Sequence, residues 1–172
     1  MSGRTGPGPR GSAQTRVQAP LLDRLIDDAP DQERDPPISA VDSMVALRAS
    51  VRRDLEALLN ARRRWRSWPK HMTRLATSPL GYGIPDFSSG AFNDAQRREE
   101  LRIEVEETIR RFEPRFLSVR VRLVDTKERL EPTLRLRIEA VLHAEPAPES
   151  VTFDTVVDPT TDDIVVRPGN VV

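Results

Sequence analysis

From position 41 to 60, apolar residues recur at intervals of three and four. Met44, Leu47, Val51, Leu55 and Leu58 form one stripe, and Arg48, Arg52, Asp54 and Glu56 take the remaining surface. This is the 3.6-residue period of an amphipathic helix. Ser39 can cap its first amides, and Asp42, three residues on, completes a capping-box pattern. A second helix is predicted over 94–112, with Leu101, Val105, Ile109 and Phe112 as its buried stripe. Glu106–Arg110 and Glu107–Arg111 are i,i+4 pairs, each contributing roughly a few tenths of a kcal/mol. Pro114 restricts Glu113 to extended geometry, so the helix stops there. Beyond it the period falls to two. Leu117, Val119, Val121 and Leu123 alternate with Ser118, Arg120 and Arg122. Leu134, Leu136, Ile138, Ala140 and Leu142 alternate with Arg135, Arg137 and Glu139. Val151, Phe153, Thr155 and Val157 form a third run, and 164–167 a shorter fourth, with a hairpin-like turn over 158–163 between them.

Two helices followed by strands on short loops predict an α+β fold. Two main helices pack on a mostly antiparallel four-stranded sheet, with a flexible N-terminal tail. The arginines on the second face of both long strands imply that this face is wet or meets something polar. The expected organisation is a Pro/Gly-rich tail over 1–37, a folded domain over 38–168 and a short C-terminal tail over 169–172. Within residues 1–40 there are six prolines and four glycines, too little apolar surface to offset ordering entropy. Leu21-Leu22-Asp23-Arg24-Leu25-Ile26 interrupts that tail. Leu21, Leu22, Arg24 and Leu25 read either as a docking helix for a partner or as a turn packed on the chain's own domain.

Composition narrows the chemistry. The 172 residues hold 27 basic and 27 acidic side chains and no cysteine. Disulfides, thiolate metal sites and cysteine nucleophiles are thereby excluded, and a net charge of zero gives no general attraction to nucleic acid or membrane. The zero is a sum of unlike parts: residues 61–74 carry six positive charges and no acid, whereas 145–172 carry one arginine against six acids. The basic stretch includes Trp65 and Trp68, which suit base stacking or a membrane interface, or else pack on the domain at a helix end. Met1 to Pro20 has no apolar run of signal-peptide length, so a cytoplasmic location is expected.

No catalytic constellation stands out. His71 and His143 lie outside any HExxH or other metal spacing, and the chain has no G-x-S-x-G elbow. The Gly81 and Gly83 pair belongs to an ordered turn between Pro79 and Pro85, with no phosphate-loop or dinucleotide pattern. Glu104, Glu106, Glu107 and Glu113 are the carboxylates a glycoside hydrolase would need, but the first three read as a solvated, salt-bridged face. Glu113-Pro114-Arg115 is more unusual. It sets two acceptor oxygens and a planar five-donor fork on a rigid kink between helix and strand. Such a pair suits a directional contact with a partner, or an internal ion pair tying helix to sheet.

These residues carry a resemblance. Phe112-Glu113-Pro114-Arg115 follows Leu21-Leu22-Asp23-Arg24-Leu25, the block from Ser50 to Asn60, and Tyr82-Gly83-Ile84-Pro85-Asp86. Phe153-Asp154-Thr155 completes the order. The whole resembles the baseplate-wedge family of contractile injection machines, historically labelled lysozyme-like, whose type VI secretion members are called TssE. The resemblance implies a structural role without enzymatic activity or cofactor. It implies a place beside the TssF–TssG core bundle in a baseplate that also holds TssK. Glu113, Pro114 and Arg115 would make the core-bundle contact, and strand edges would meet the sheath proteins TssB and TssC. No small-molecule substrate, nucleic acid or direct membrane insertion is implied. The alternative is a peptidoglycan-cleaving lysozyme-like enzyme, as the family's old label suggests.

Overall fold

The computed structural model describes residues 23, 25, 31, 39–63, 69, 71–86, 94–124, 134–145, 147–157, 161 and 163–169. Helix α1 runs Ala40–Asn60, and Ser39 caps it by accepting the Asp42 amide at 3.1 Å. Asp42 does not reach back to the Ser39 amide as a capping box would; the Ser39 hydroxyl donates to its carboxylate instead. Helix α2 runs Ala95–Phe112, capped by Asp94, which accepts the Gln96 amide at 2.9 Å. Four strands follow as an antiparallel meander: β3 Phe116–Leu123, β4 Leu134–Leu142, β5 Glu149–Val157 and β6 Ile164–Pro168. The α+β architecture is the expected one.

Between the helices the chain forms something the periodicity did not signal. Two-residue strands β1 (Arg62–Arg63) and β2 (Ile84–Pro85) pair in parallel. Gly83 makes this possible. Its φ is 94°, a left-handed conformation, and a Cβ there would stand 2.2 Å from the Ala61 carbonyl oxygen. The pairing carries Arg63 inward, where its side chain is 6% exposed and meets Glu104 of α2 at 2.6 Å. One arginine of the basic stretch is therefore a buried tie between α2 and the start of the loop. Trp65 and Trp68 lie outside the described residues.

The core is one cluster. Leu47, Val51, Leu55, Leu58 and Leu59 of α1 and Leu101, Val105 and Ile109 of α2 meet the alternate residues of all four strands. In β4, Leu134, Leu136, Ile138, Ala140 and Leu142 are all buried, as the alternation predicts. Leu117 departs from the pattern at 56% exposure. The β3–β4 register shifts between Phe116 and Ser118, and such a bulge turns the intervening side chain outward. The Glu107–Arg111 pair also does not form. Glu107 is exposed, where holding two long side chains together gains little against water. At the chain's other end, Gly169 donates its amide to Thr152 at 2.8 Å and so continues the β5–β6 ladder. Residues 170–172 and positions 158–160 and 162 of the expected turn lie outside the described residues.

Both outer edges of the sheet are capped by helix side chains. On β6, the Asn60 amide group accepts from the Ile164 N–H and donates to its carbonyl, both at 2.8 Å. Glu56 accepts the Val166 amide at 3.1 Å, and Arg52 donates to the Val166 carbonyl at 3.3 Å. On β3, Glu106 accepts the Val121 amide at 3.0 Å. Arg102 donates to the Val121 carbonyl at 3.1 Å and Arg110 to that of Val119 at 3.4 Å. Arg52, Glu56 and Asn60, like Arg102, Glu106 and Arg110, repeat at i, i+4 and i+8. Each helix thus lays one polar stripe along a strand edge that would otherwise offer unpaired backbone groups.

Candidate functional site

The kink after α2 is built from within. Pro114 keeps Glu113 out of helical geometry (φ −115°, ψ 81°), yet the Glu113 amide still donates to Ile109 at 2.9 Å and closes the last turn. Glu113 is only 5% exposed. A buried carboxylate needs partners, and Arg115 supplies them. Its Nε donates to Glu113 Oε1 at 2.6 Å, a terminal nitrogen donates to Oε2, and its backbone amide lies 3.3 Å from Oε1. That terminal nitrogen also meets Asp54 of α1 at 2.8 Å, and the other lies 3.3 Å from the Ser50 hydroxyl. The carbonyl of Arg115 accepts the His143 amide at 2.8 Å, which fixes the turn to the end of β4. One arginine therefore ties α1, the end of α2 and the start of β3 together. Burial opposes its charge, but Glu113 and Asp54 outweigh it and hold the guanidinium pKa above its ordinary value.

The network extends toward the N-terminus. Asp23, in helical backbone, accepts from the Ser50 hydroxyl and from Arg53 at 2.7 Å. Its pKa is lowered, chiefly by the Ser50 hydrogen bond, with Arg53 and Arg115 adding to that against a smaller effect of burial. The segment 21–26 thus touches its own domain through Asp23, while Leu25 is 73% exposed. Leu21, Leu22 and Arg24 lie outside the described residues. Tyr82 borders the same node, edge-on to Phe112 with ring centroids 5.3 Å apart. Its phenol pKa is raised by burial and by the Asp54 and Glu113 carboxylates.

The structure brings Glu113, Pro114 and Arg115 together as one corner, with Glu113 inside, Arg115 half-buried and Pro114 exposed. Sequence reasoning did not assign roles to Ser50, Asp54 and Asp23. Ser50 and Asp54 lie 65 and 61 residues before Arg115. The one available signal was polarity on the α1 surface beside its apolar stripe.

Three of the four carboxylates considered for hydrolysis are committed elsewhere, and Glu107 is exposed. Glu104 holds Arg63, and Glu113 holds Arg115. Burial would raise the Glu106 carboxyl, but the Val121 amide, Arg110 and Arg102 outweigh it and keep the pKa below the ordinary value. A general acid needs the opposite shift. His143 is exposed at its strand end, and no cluster of three or more His, Asp or Glu able to hold a metal occurs among the described residues. Among those residues, no helix is long and apolar enough to cross a membrane.

Fold and node together define a scaffold domain, in which the charged side chains brace helices and cap strands. Residues 45–147, more than half of the chain, match the family of baseplate wedge protein gp25, and the chain belongs to that family. The matched span contains most of α1 and all of α2, β3 and β4, and with them Ser50, Asp54 and the Glu113–Arg115 corner. Members are structural components, so the chain has a structural baseplate role in contractile injection systems. No individual curated protein matches it.

Proposed function

We propose that this chain is the TssE-type subunit of a type VI secretion baseplate, a cytoplasmic, non-enzymatic adaptor between the wedge core and the first sheath ring. Its neighbours in this reading are TssF and TssG at the core bundle, TssK in the baseplate, and TssB and TssC of the sheath. The observation that carries the reading is the corner itself. Glu113 and Arg115 satisfy each other internally, so their ion pair braces the corner, and contact with the core bundle falls on exposed Pro114 and the open flank of Arg115. A braced corner loses little conformational freedom when a partner engages it. Because both backbone groups of Ile164, Val166 and Val121 and the carbonyl of Val119 are already bonded, the sheath contact uses other surface than these capped groups.

The test is co-purification of the full chain with TssF and TssG, measured beside thermal unfolding of the isolated chain. Arg115→Ala should weaken both, because it leaves buried Glu113 without its partner, a loss of about 3–5 kcal/mol for a fully buried pair and less here. Pro114→Ser should leave the melting temperature nearly unchanged and still reduce co-purification. If Pro114→Ser has no effect on capture and Arg115→Ala acts only through stability, the corner is structural alone and the core-bundle assignment fails.

A further inference from the structure

Both helices cover the same face of the sheet, and the opposite face carries a second pattern. Arg120 of β3 stands across from Glu139 of β4, and that residue across from Thr152 of β5. The next row runs through all four strands: Arg122, Arg137, Asp154 and Arg167. Arg135 follows in β4, opposite Val156. This face therefore sets five arginines against two carboxylates. The two acids are used, by Arg122 with Glu139 at 3.3 Å and by Arg137 with Asp154 at 2.8 Å. Arg120, Arg135 and Arg167 are exposed and form no ion pair with any described residue.

The arrangement works against the isolated sheet. Arg122 and Arg137 lie directly opposite in the register, and like charges so placed are destabilising. A depression of about 310 Å³ adjoins the row, lined by small side chains such as Ser118, Val141, Ser150 and Thr152 beside Arg120 and Glu139. The face thus has relief as well as charge.

We propose that this sheet face docks an acidic protein surface, with the partner's carboxylates on Arg120, Arg135 and Arg167. Guanidinium forks match carboxylates in paired hydrogen bonds. Strands lie about 5 Å apart and same-face residues about 7 Å apart along a strand. By that spacing Arg120, Arg135 and Arg167, on three strands and three rows of the register, stand roughly 12–16 Å apart, which suits separate carboxylates on a broad folded surface. A nucleic-acid strand fits less well. Among the described residues the face has no aromatic ring on which bases could stack, and Glu139 and Asp154 sit where a continuous phosphate chain would cross. A second copy of the same face would meet arginine with arginine. The proposal is independent of the baseplate assignment.

The test uses the full chain with labelled poly-L-glutamate and, separately, a single-stranded oligonucleotide of equal charge, at about 0.1 M salt where exposed charges are screened beyond roughly 10 Å. The R120A/R135A/R167A variant should bind poly-L-glutamate about tenfold more weakly or worse. A variant losing the same charge elsewhere, R74A/R97A/R111A, should change binding by less than about twofold. Thermal unfolding confirms that both variants fold. Equal losses in the two variants, or no binding by the unmodified chain, would overturn the proposal. Tighter capture of the oligonucleotide, lost in the face variant, would overturn it in favour of a nucleic-acid surface.

Discussion

Asp23 shows how one residue ties a distant segment to the domain. Its carboxylate accepts hydrogen bonds from the Ser50 hydroxyl and an Arg53 N–H, and its pKa is thereby lowered from 3.8. A group whose folded-state pKa is depressed stabilises the fold above its unfolded value and loses that contribution as pH falls through the folded one. Asp23 should therefore contribute fully near neutrality and progressively less below the ordinary carboxylate range. Comparing Asp23→Asn with the unmodified chain by urea unfolding at several pH values reads this directly. The stability difference should be constant from about pH 8 to pH 5 and shrink toward zero near pH 2. A difference that is the same at both ends, or absent at neutral pH, sinks the assignment. Its partner Arg53 is 47% exposed, so solvent screening keeps the neutral-pH difference small.

At the scale of elements, the edge caps divide labour along each helix: one stripe makes core, and the next closes a strand edge. Asn60 is the clearest case, because its single amide group completes both backbone groups of Ile164. Asn60→Ala should leave that N–H and carbonyl without partners in a residue 3% exposed, at a cost of about 1–3 kcal/mol. It should also open the β6 edge to pairing with another chain. Urea unfolding measures the first effect and sedimentation velocity the second. Unchanged stability would mean that water replaces the cap at no cost. The helices themselves were legible from periodicity, and so was the meander, because β4 and β5 alternate without interruption. The caps were less so: Arg52, Glu56 and Asn60 repeat at helical spacing, but a period identifies a face and never what lies opposite it. Leu117 was misread because a bulge breaks the parity on which alternation depends. The β1–β2 pair, two residues on each side, is too short to carry any period.

Across the whole molecule, the limits of the sequence reading follow contact distance in the chain. Glu113-Pro114-Arg115 could be read locally as a charged kink, and an internal ion pair was one of its two readings. Its long-range partners Ser50 and Asp54 could not be read, since they arrive only once α1 packs beside α2. The same long-range dependence has a consequence for unfolding. α1 caps β6, α2 caps β3, and these strands are the opposite edges of one sheet, so neither helix has an independent core. Both depend on β4 and β5 between the edges, where Ile138 is fully buried in the shared cluster. Ile138→Ala should cost about 2–5 kcal/mol, a large share of the roughly 5–15 kcal/mol typical of such domains. The loss should fall on every element at once. Far-UV circular dichroism should then report one transition, shifted to lower temperature. Hydrogen exchange should show the Leu55, Ile109 and Phe153 amides losing protection together. If the α2 amides keep their protection while β5 and β6 open, the two edges are separate cooperative units, and the central sheet does not couple them.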